Sequence, residues 1–193
     1  MRVIVLLICL ALQACGAPGI LPKATSLTDD PSSVVVIGKI ELVPPIDKKL
    51  EQKSYWDVAD SRMLAAVYMA TGPEFKPVNP LSNGRDFRET VEAHWGTPYM
   101  IKAPRQRTFL NGAMAFLDVK ENDKLWFPGG YYFEVPKDAV AVYIGTLRYY
   151  RNDFNKITKV EVIDERRDIE AVLKSGESAS KVRSSLLKKV PTK

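Results

Sequence analysis

The sequence predicts a mainly β protein, an antiparallel β-sandwich of about seven strands with a short C-terminal helical tail. Three observations predict it. β-Branched and aromatic residues gather in short runs between residues 34 and 163, as strands on a pleated, half-buried surface require. Proline, glycine and Asn-Asp groups separate these runs. The intervals hold no long amphipathic helix of the kind a βαβ crossover needs.

The elements follow in order. "VVVIGKIELV" at 34–43 is β-branched and then alternating, and Pro44-Pro45 ends it. Residues 46–62 are polar, with Lys48, Lys49, Glu51 and Lys53. "MLAAVYMA" at 63–70 is apolar throughout, and the Thr71-Gly72-Pro73 that follows favours a buried strand over a helix. Residues 72–98 are mostly irregular, with a short helix over 85–93, where Phe87 and Val91 share a face. Strands are then expected at 98–103, 107–118, 124–135, 139–150 and 156–163, with Asn122-Asp123 and Asn152-Asp153 as turns. In the last of these, Thr158, Val160 and Val162 alternate with Lys159 and Glu161, the pattern of an antiparallel strand with one wet face.

An internal echo runs through this region. "YMIKAPRQRTFLNG" (99–112) and "YFEVPKDAVAVYIG" (132–145) share an order: aromatic start, proline, polar link, second strand, closing glycine. Pro104 and Pro136 would each mark a corner between two strands. Two copies are too few for a stacked array, so the echo fits repeated corners within one sandwich. Short, proline-cornered patterns of this kind are similar to small transthyretin-like or carboxypeptidase-regulatory-like domains, and no functional residue follows from that likeness.

At the C-terminus Asp164 is placed to cap a helix through "ERRDIEAVLK", with Ile169, Val172 and Leu173 on one face and Gly176 as a stop. Residues 178–189 have a second amphipathic pattern, with Val182, Leu186 and Leu187 opposed to basic residues. The sandwich is thus assigned to 34–164 and a basic helical tail to 165–193.

The N-terminus has a separate character. Arg2 precedes the apolar run "VIVLLICLAL" at 3–12. Ten helical residues reach about 15 Å, half of a hydrocarbon core of about 30 Å. A cleavable signal peptide over 1–14 therefore fits better than a membrane span. The run closes on Leu12-Gln13-Ala14-Cys15, which resembles the lipobox of bacterial lipoproteins. That resemblance implies transfer of a diacylglyceryl group to the Cys15 sulfur, cleavage before Cys15, and fatty acids such as palmitate as anchor. Gly16 stands where an aspartate would imply retention at the inner membrane, so the resemblance implies the outer membrane. The alternative is an ordinary secretory peptide with an incidental cysteine. Residues 15–33 are rich in Gly, Pro, Ser and Thr and are expected to be a flexible tether, reaching roughly 20–25 Å.

Composition bounds the chemistry. The chain has 193 residues, a net charge of +5, one histidine and two cysteines, Cys9 and Cys15. Both cysteines precede the globular region, which therefore holds no disulfide, thiol nucleophile or cysteine metal site. Neither a G-x-S-x-G elbow, nor a phosphate-binding glycine loop, nor an EF-hand pattern occurs. His94 stands alone beside Trp95, and Asp164, Glu165 and Asp168 sit among arginines that favour capping over acid catalysis. No metal, cofactor or catalytic residue is expected, and no nucleic acid.

What remains is binding. Trp126 opens an aromatic run, "KLWFPGGYYF", and with Tyr132 and Tyr149 it is a candidate platform for a glycan or protein partner. Lys102, Arg105 and Arg107 flank Pro104 and are candidate contacts for an anionic headgroup or glycan. The expected role is a non-enzymatic outer-membrane lipoprotein, facing the periplasm and held to the membrane through Cys15, as a binding or assembly module of the cell envelope. Alternatives are a glycan or peptidoglycan binder, a cell-wall enzyme using His94, Asp118 or Glu134, and a surface-exposed lipoprotein. Peptidoglycan linkage through the terminal Lys193 is a further expectation to test.

Overall fold

A computed structural model of the chain describes residues 20–22, 25–51, 65–78, 90–117, 124–173 and 179–191. Ten strands are present among them: β1 (Ser33–Val43), β2 (Ala66–Gly72), β3 (Thr90–His94), β4 (Tyr99–Pro104), β5 (Thr108–Phe116), β6 (Lys124–Phe133), β7 (Ala141–Arg151), β8 (Ile157–Ile163), β9 (Val182–Ser184) and β10 (Lys188–Lys189). Two single-turn α-helices accompany them, α1 (Lys48–Glu51) and α2 (Arg167–Glu170), with a 3-10 turn at Ala179–Lys181. No helix among the described residues is long and apolar enough to cross a membrane.

The strands form two five-stranded sheets packed on one apolar core. Sheet I has the order β4-β1-β7-β8, and sheet II the order β10-β6-β5-β2-β3. β9 shares with β8 the edge of β7 away from β1. β9 pairs with Ala141–Tyr143, and β8 with the stretch from Thr146 to Arg151.

The mainly β, two-sheet expectation holds, and all seven predicted strands are present. Three details differ. Sheet I is mixed, because β1 and β7 run parallel, as do β7 and β9. β3 occupies part of the segment predicted helical: Thr90–Ala93 pairs with Val67–Ala70 of β2, and residues 85–89 lie outside the described residues. Among the described residues there is no helical tail. Beyond the one turn of α2, the last residues supply β9 to sheet I and β10 to sheet II. Leu187 is drawn into the core between them, with its N–H donating to Ile144 O. Open sheet edges needed partners, and these residues satisfied them at both edges.

The sequence echo has a structural meaning. Pro104 joins β4 of sheet I to β5 of sheet II, and the turn around Pro136 joins β6 of sheet II to β7 of sheet I. Each proline-cornered unit carries the chain across the sandwich. Each second strand then has a bulge near its glycine: against β2 the register shifts between Leu110 and Gly112 in β5, and opposite Gly38 it shifts around Gly145 in β7. Gly145 has φ +90°, and a Cβ there would lie 3.0 Å from Ile163 O.

A bulge reverses which residues face inward. Tyr143 is buried on the outer side of sheet I, whereas Tyr149, six residues on, is in the inter-sheet core. The outer side of sheet I is itself covered. Leu27, Ile169 and Val172 pack there on Val35, Ile37, Met100 and Tyr143. Ile20 bridges to Ile101, and Leu21 N–H donates to Met100 O over 2.7 Å. Composition predicts a tether over 15–33, but Leu21 and Leu27 pack on this face because each has apolar surface to bury, while Ile20 pairs with Ile101 and stays exposed.

Candidate functional site

Between the sheets lies a cavity of about 460 Å³. Inward residues of β1 and β4 form one wall, with Val36, Ile40, Tyr99 and Ile101 buried; Met69, Leu110 and Phe133 come from sheet II. Leu187 closes it from the C-terminal segment. The exposed lining residues Ser32, Pro73, Lys102, Pro104 and Gln106 form its rim. The opening falls where β2 continues past β3: β3 pairs with β2 only as far as Ala70, and Thr71 and Gly72 line the cavity.

The cavity has a direction. Ser33 pairs with Pro104 at the rim, and Gly38 pairs with Tyr99 at the inner end. They are five positions apart along the strand, about 17 Å at 3.3 Å per residue. Ligand sites in proteins commonly span about 300–1,000 Å³ with apolar walls and few polar groups. An apolar cavity of about 150 Å³ already holds a benzene-sized molecule. This cavity is therefore large enough for an elongated apolar ligand.

Its polar groups are unevenly satisfied. At the rim, Asp30 accepts from the hydroxyls of Ser32 and Ser33 and from Lys102, which is 2.9 Å away. These bonds, Ser33 foremost, hold the Asp30 carboxyl well below its ordinary value. At the inner end, the Tyr99 hydroxyl makes a 3.8 Å contact with Met69 Sδ, and a thioether is a weak acceptor. Burial pushes the Tyr99 phenol well above its ordinary value, so it stays protonated and remains a donor. Gly38 makes room for it, since a Cβ there would lie 2.8 Å from the Tyr99 oxygen.

The residues expected to bind divide by location. Trp126 and Tyr132 are half-buried on the outer face of sheet II, Trp126 opposite Met114 and Tyr132 opposite Phe109. Tyr132 stacks against Phe109 at 5.7 Å, and Phe109 against Phe75 at 6.2 Å. Trp126, Phe75 and Val78 line a depression on that face. Tyr149 is separate from them. It is fully buried in the core and donates its hydroxyl to Pro128 O over 2.9 Å. The Gly145 bulge turns it inward, so it is not a surface platform residue.

The basic trio is also dispersed. Arg105 is a structural clamp, donating to the carbonyls of Asp30 and Ala139 and to the Asp29 carboxylate. Arg107 pairs with Glu134 and lies 5.2 Å over the Tyr132 ring. Lys102 stands at the cavity rim, held by Asp30. Each cation already has a carboxylate partner, so the three do not converge on one anion.

His94 is exposed at the end of β3. Asp164 does not cap α2, whose N-cap is Arg166 without a side-chain bond. Glu165 instead turns inward to Lys39, Thr146 and Arg148. Among the described residues no group of three or more His, Cys, Asp or Glu is placed to hold a metal ion. Cys15, Asp118 and Lys193 lie outside the described residues.

Residue patterns alone did not single out Tyr99 or Met69, and they placed Leu187 on a helix face rather than in a cavity wall. One signal was present: Gly38 interrupts a β-branched strand, which marks a close approach by another group. Comparison with protein-family models, curated proteins and solved structures finds no match to this chain.

Proposed function

We propose that this protein is a non-enzymatic lipoprotein of a bacterial outer membrane, anchored through Cys15 and facing the periplasm, whose sandwich takes up an apolar ligand between its sheets. The cavity carries this reading: it is ligand-sized, lined by aliphatic and aromatic side chains, and open at one end. The anchor supports it. Ile20 bridges to Ile101, and Ile101 lines the cavity. Ile20 is only five positions after Cys15, a reach of at most about 17 Å. A lipid-modified Cys15 would hold β4, and the rim beside it, close to the headgroups. The membrane would then be both anchor and source of ligand. Two or more acyl chains suffice for stable anchoring, at about 0.8 kcal/mol per buried CH₂.

A second reading rests on the outer face of sheet II. There Phe75 is 40% exposed beside Phe109, Tyr132 and Trp126, an aromatic surface of the kind that stacks on sugar rings. It would make the protein an envelope glycan binder.

Two experiments decide between them. Labelled palmitate should enter the wild-type chain and not Cys15→Ser; equal labelling of both removes the anchor. The full-length Cys15→Ser chain, prepared without detergent, should raise the fluorescence of N-phenyl-1-naphthylamine saturably. Ala103→Trp, which fills the cavity near the rim, should abolish that rise. Failure of the wild-type lining to bind the dye, together with retention of peptidoglycan fragments that is lost in Trp126→Ala, would favour the glycan reading.

A further inference from the structure

Resting on that reading, we infer that the ligand of the inter-sheet cavity is a neutral, elongated apolar molecule with a hydrogen-bond acceptor, such as a carbonyl, at its buried end, received by the Tyr99 hydroxyl. The buried part of the cavity is lined mainly by apolar side chains, and at the rim Asp30 already engages Ser32, Ser33 and Lys102. The buried donor with the weakest partner lies at the opposite end. Tyr99 is 6% exposed and lines the cavity, and its hydroxyl has a thioether sulfur at 3.8 Å as partner. A buried donor left with so weak a partner costs free energy that a ligand acceptor would restore. Gly38 has no side chain at the point where the hydroxyl sits, which keeps that end open to the oxygen.

The charge of the ligand follows from the same surroundings. Ile144, Val36 and Ile40 line this region and are almost wholly buried. A carboxylate there would lose its hydration with no cation to replace it. Lys102, the cation in the lining, stands at the rim with Asp30. A fatty acid entering head first is therefore disfavoured, whereas a ketone, ester or quinone-like oxygen suits a single phenol donor.

The test uses competitors of equal chain length, dodecane, 2-dodecanone and dodecanoate, displacing N-phenyl-1-naphthylamine from the full-length Cys15→Ser chain. The ketone should displace the dye at about a fivefold lower concentration than the alkane, the worth of one net hydrogen bond. Tyr99→Phe, which keeps the ring, should bring the two together by weakening the ketone alone. Equal displacement by ketone and alkane in the wild-type lining overturns the inference and leaves the apolar cavity standing. So does tightest binding by dodecanoate. Absence of displacement by every competitor overturns the cavity reading itself. The wild-type series decides the matter even where Tyr99→Phe folds poorly.

Discussion

The Lys39 ammonium lies 2.6 Å from a carboxylate oxygen of Glu165 and 2.9 Å from one of Glu41, on a side chain only 8% exposed. Glu165 also accepts from the Thr146 hydroxyl at 3.0 Å and from Arg148 at 3.3 Å. This cluster pins the chain after β8 to sheet I, and α2 follows directly to cover Val35 and Ile37. Removing Lys39 leaves two half-buried carboxylates, Glu41 and Glu165, with Arg148 as their shared cation. Lys39→Met should cost about 3 kcal/mol in urea denaturation, with the denaturant slope unchanged. Lys39, first among the causes, holds the Glu165 carboxyl below its ordinary 4.5. With the folded value depressed, its stabilising contribution is present above 4.5 and is lost as pH falls below it. Melting temperature should therefore drop on acidification below 4.5, and Glu165→Gln should flatten that drop.

Arg151 ties the end of β1 to the end of β7. Its guanidinium donates to Pro44 O at 3.0 Å, to Pro45 O at 2.8 Å and to Glu51 Oε1 at 2.7 Å, and it also engages Asn155. Lysine has neither the planar fork nor the donor count to replace it. Arg151→Lys should destabilise by about 2 kcal/mol and Arg151→Ala by about 4 kcal/mol, read by chemical denaturation. Near-equal stability of Arg151→Lys and wild type would contradict the fork geometry.

Gly145 has a backbone conformation that other residues adopt only under strain, and a Cβ there would press on Ile163 O. Gly145→Ala should cost about 2–3 kcal/mol. Gly96 has a similar φ of +68° with nothing within 4 Å of an added Cβ. Gly96→Ala should therefore cost less, about 1 kcal/mol. The difference in melting temperature between the two variants isolates the packing contribution.

The C-terminal segment closes both sheets. Leu187 is 8% exposed within the core, so Leu187→Ala should cost about 2–3 kcal/mol. Ending the chain after Lys181 removes β9 and β10, which pair with β7 and β6. The edges so exposed should make the truncated protein associate, seen as a shift to larger species in size-exclusion chromatography. A truncated chain that stays monomeric with an unchanged melting point would show that the strap is dispensable.

Seven strands were legible because alternation, β-branching and proline or Asn-Asp turns act between near neighbours in the chain. The proline corners were legible for the same reason. That each corner changes sheets was not, because nothing local distinguishes a hairpin from a crossing. The segment 178–189 shows why local pattern fails at the ends. Val182, Leu186 and Leu187 fit one face of a helix as well as they fit an edge strand with a buried anchor. The vacant edges of β6 and β7 selected the second. Likewise Thr90–His94 joined the free edge of β2 rather than a helix.

The candidate site was less legible than the fold. Trp126 and Tyr132 are on one outer face. Tyr149 is inside, because the period-two rule fails across the Gly145 bulge. The cavity was invisible, since it is made by residues far apart in sequence, Ile40 and Tyr99 on one wall and Phe133 and Leu187 on others. Sequence was sufficient for seven of the ten strands and for the expectation of an acylated cysteine, all written in contiguous residues. Sheet order, the parallel β1–β7 pairing, the inward turn of Tyr149 and the space in front of Tyr99 came from the folded chain. Those features depend on which distant surfaces meet, and pairwise burial settles that only once the whole chain has packed.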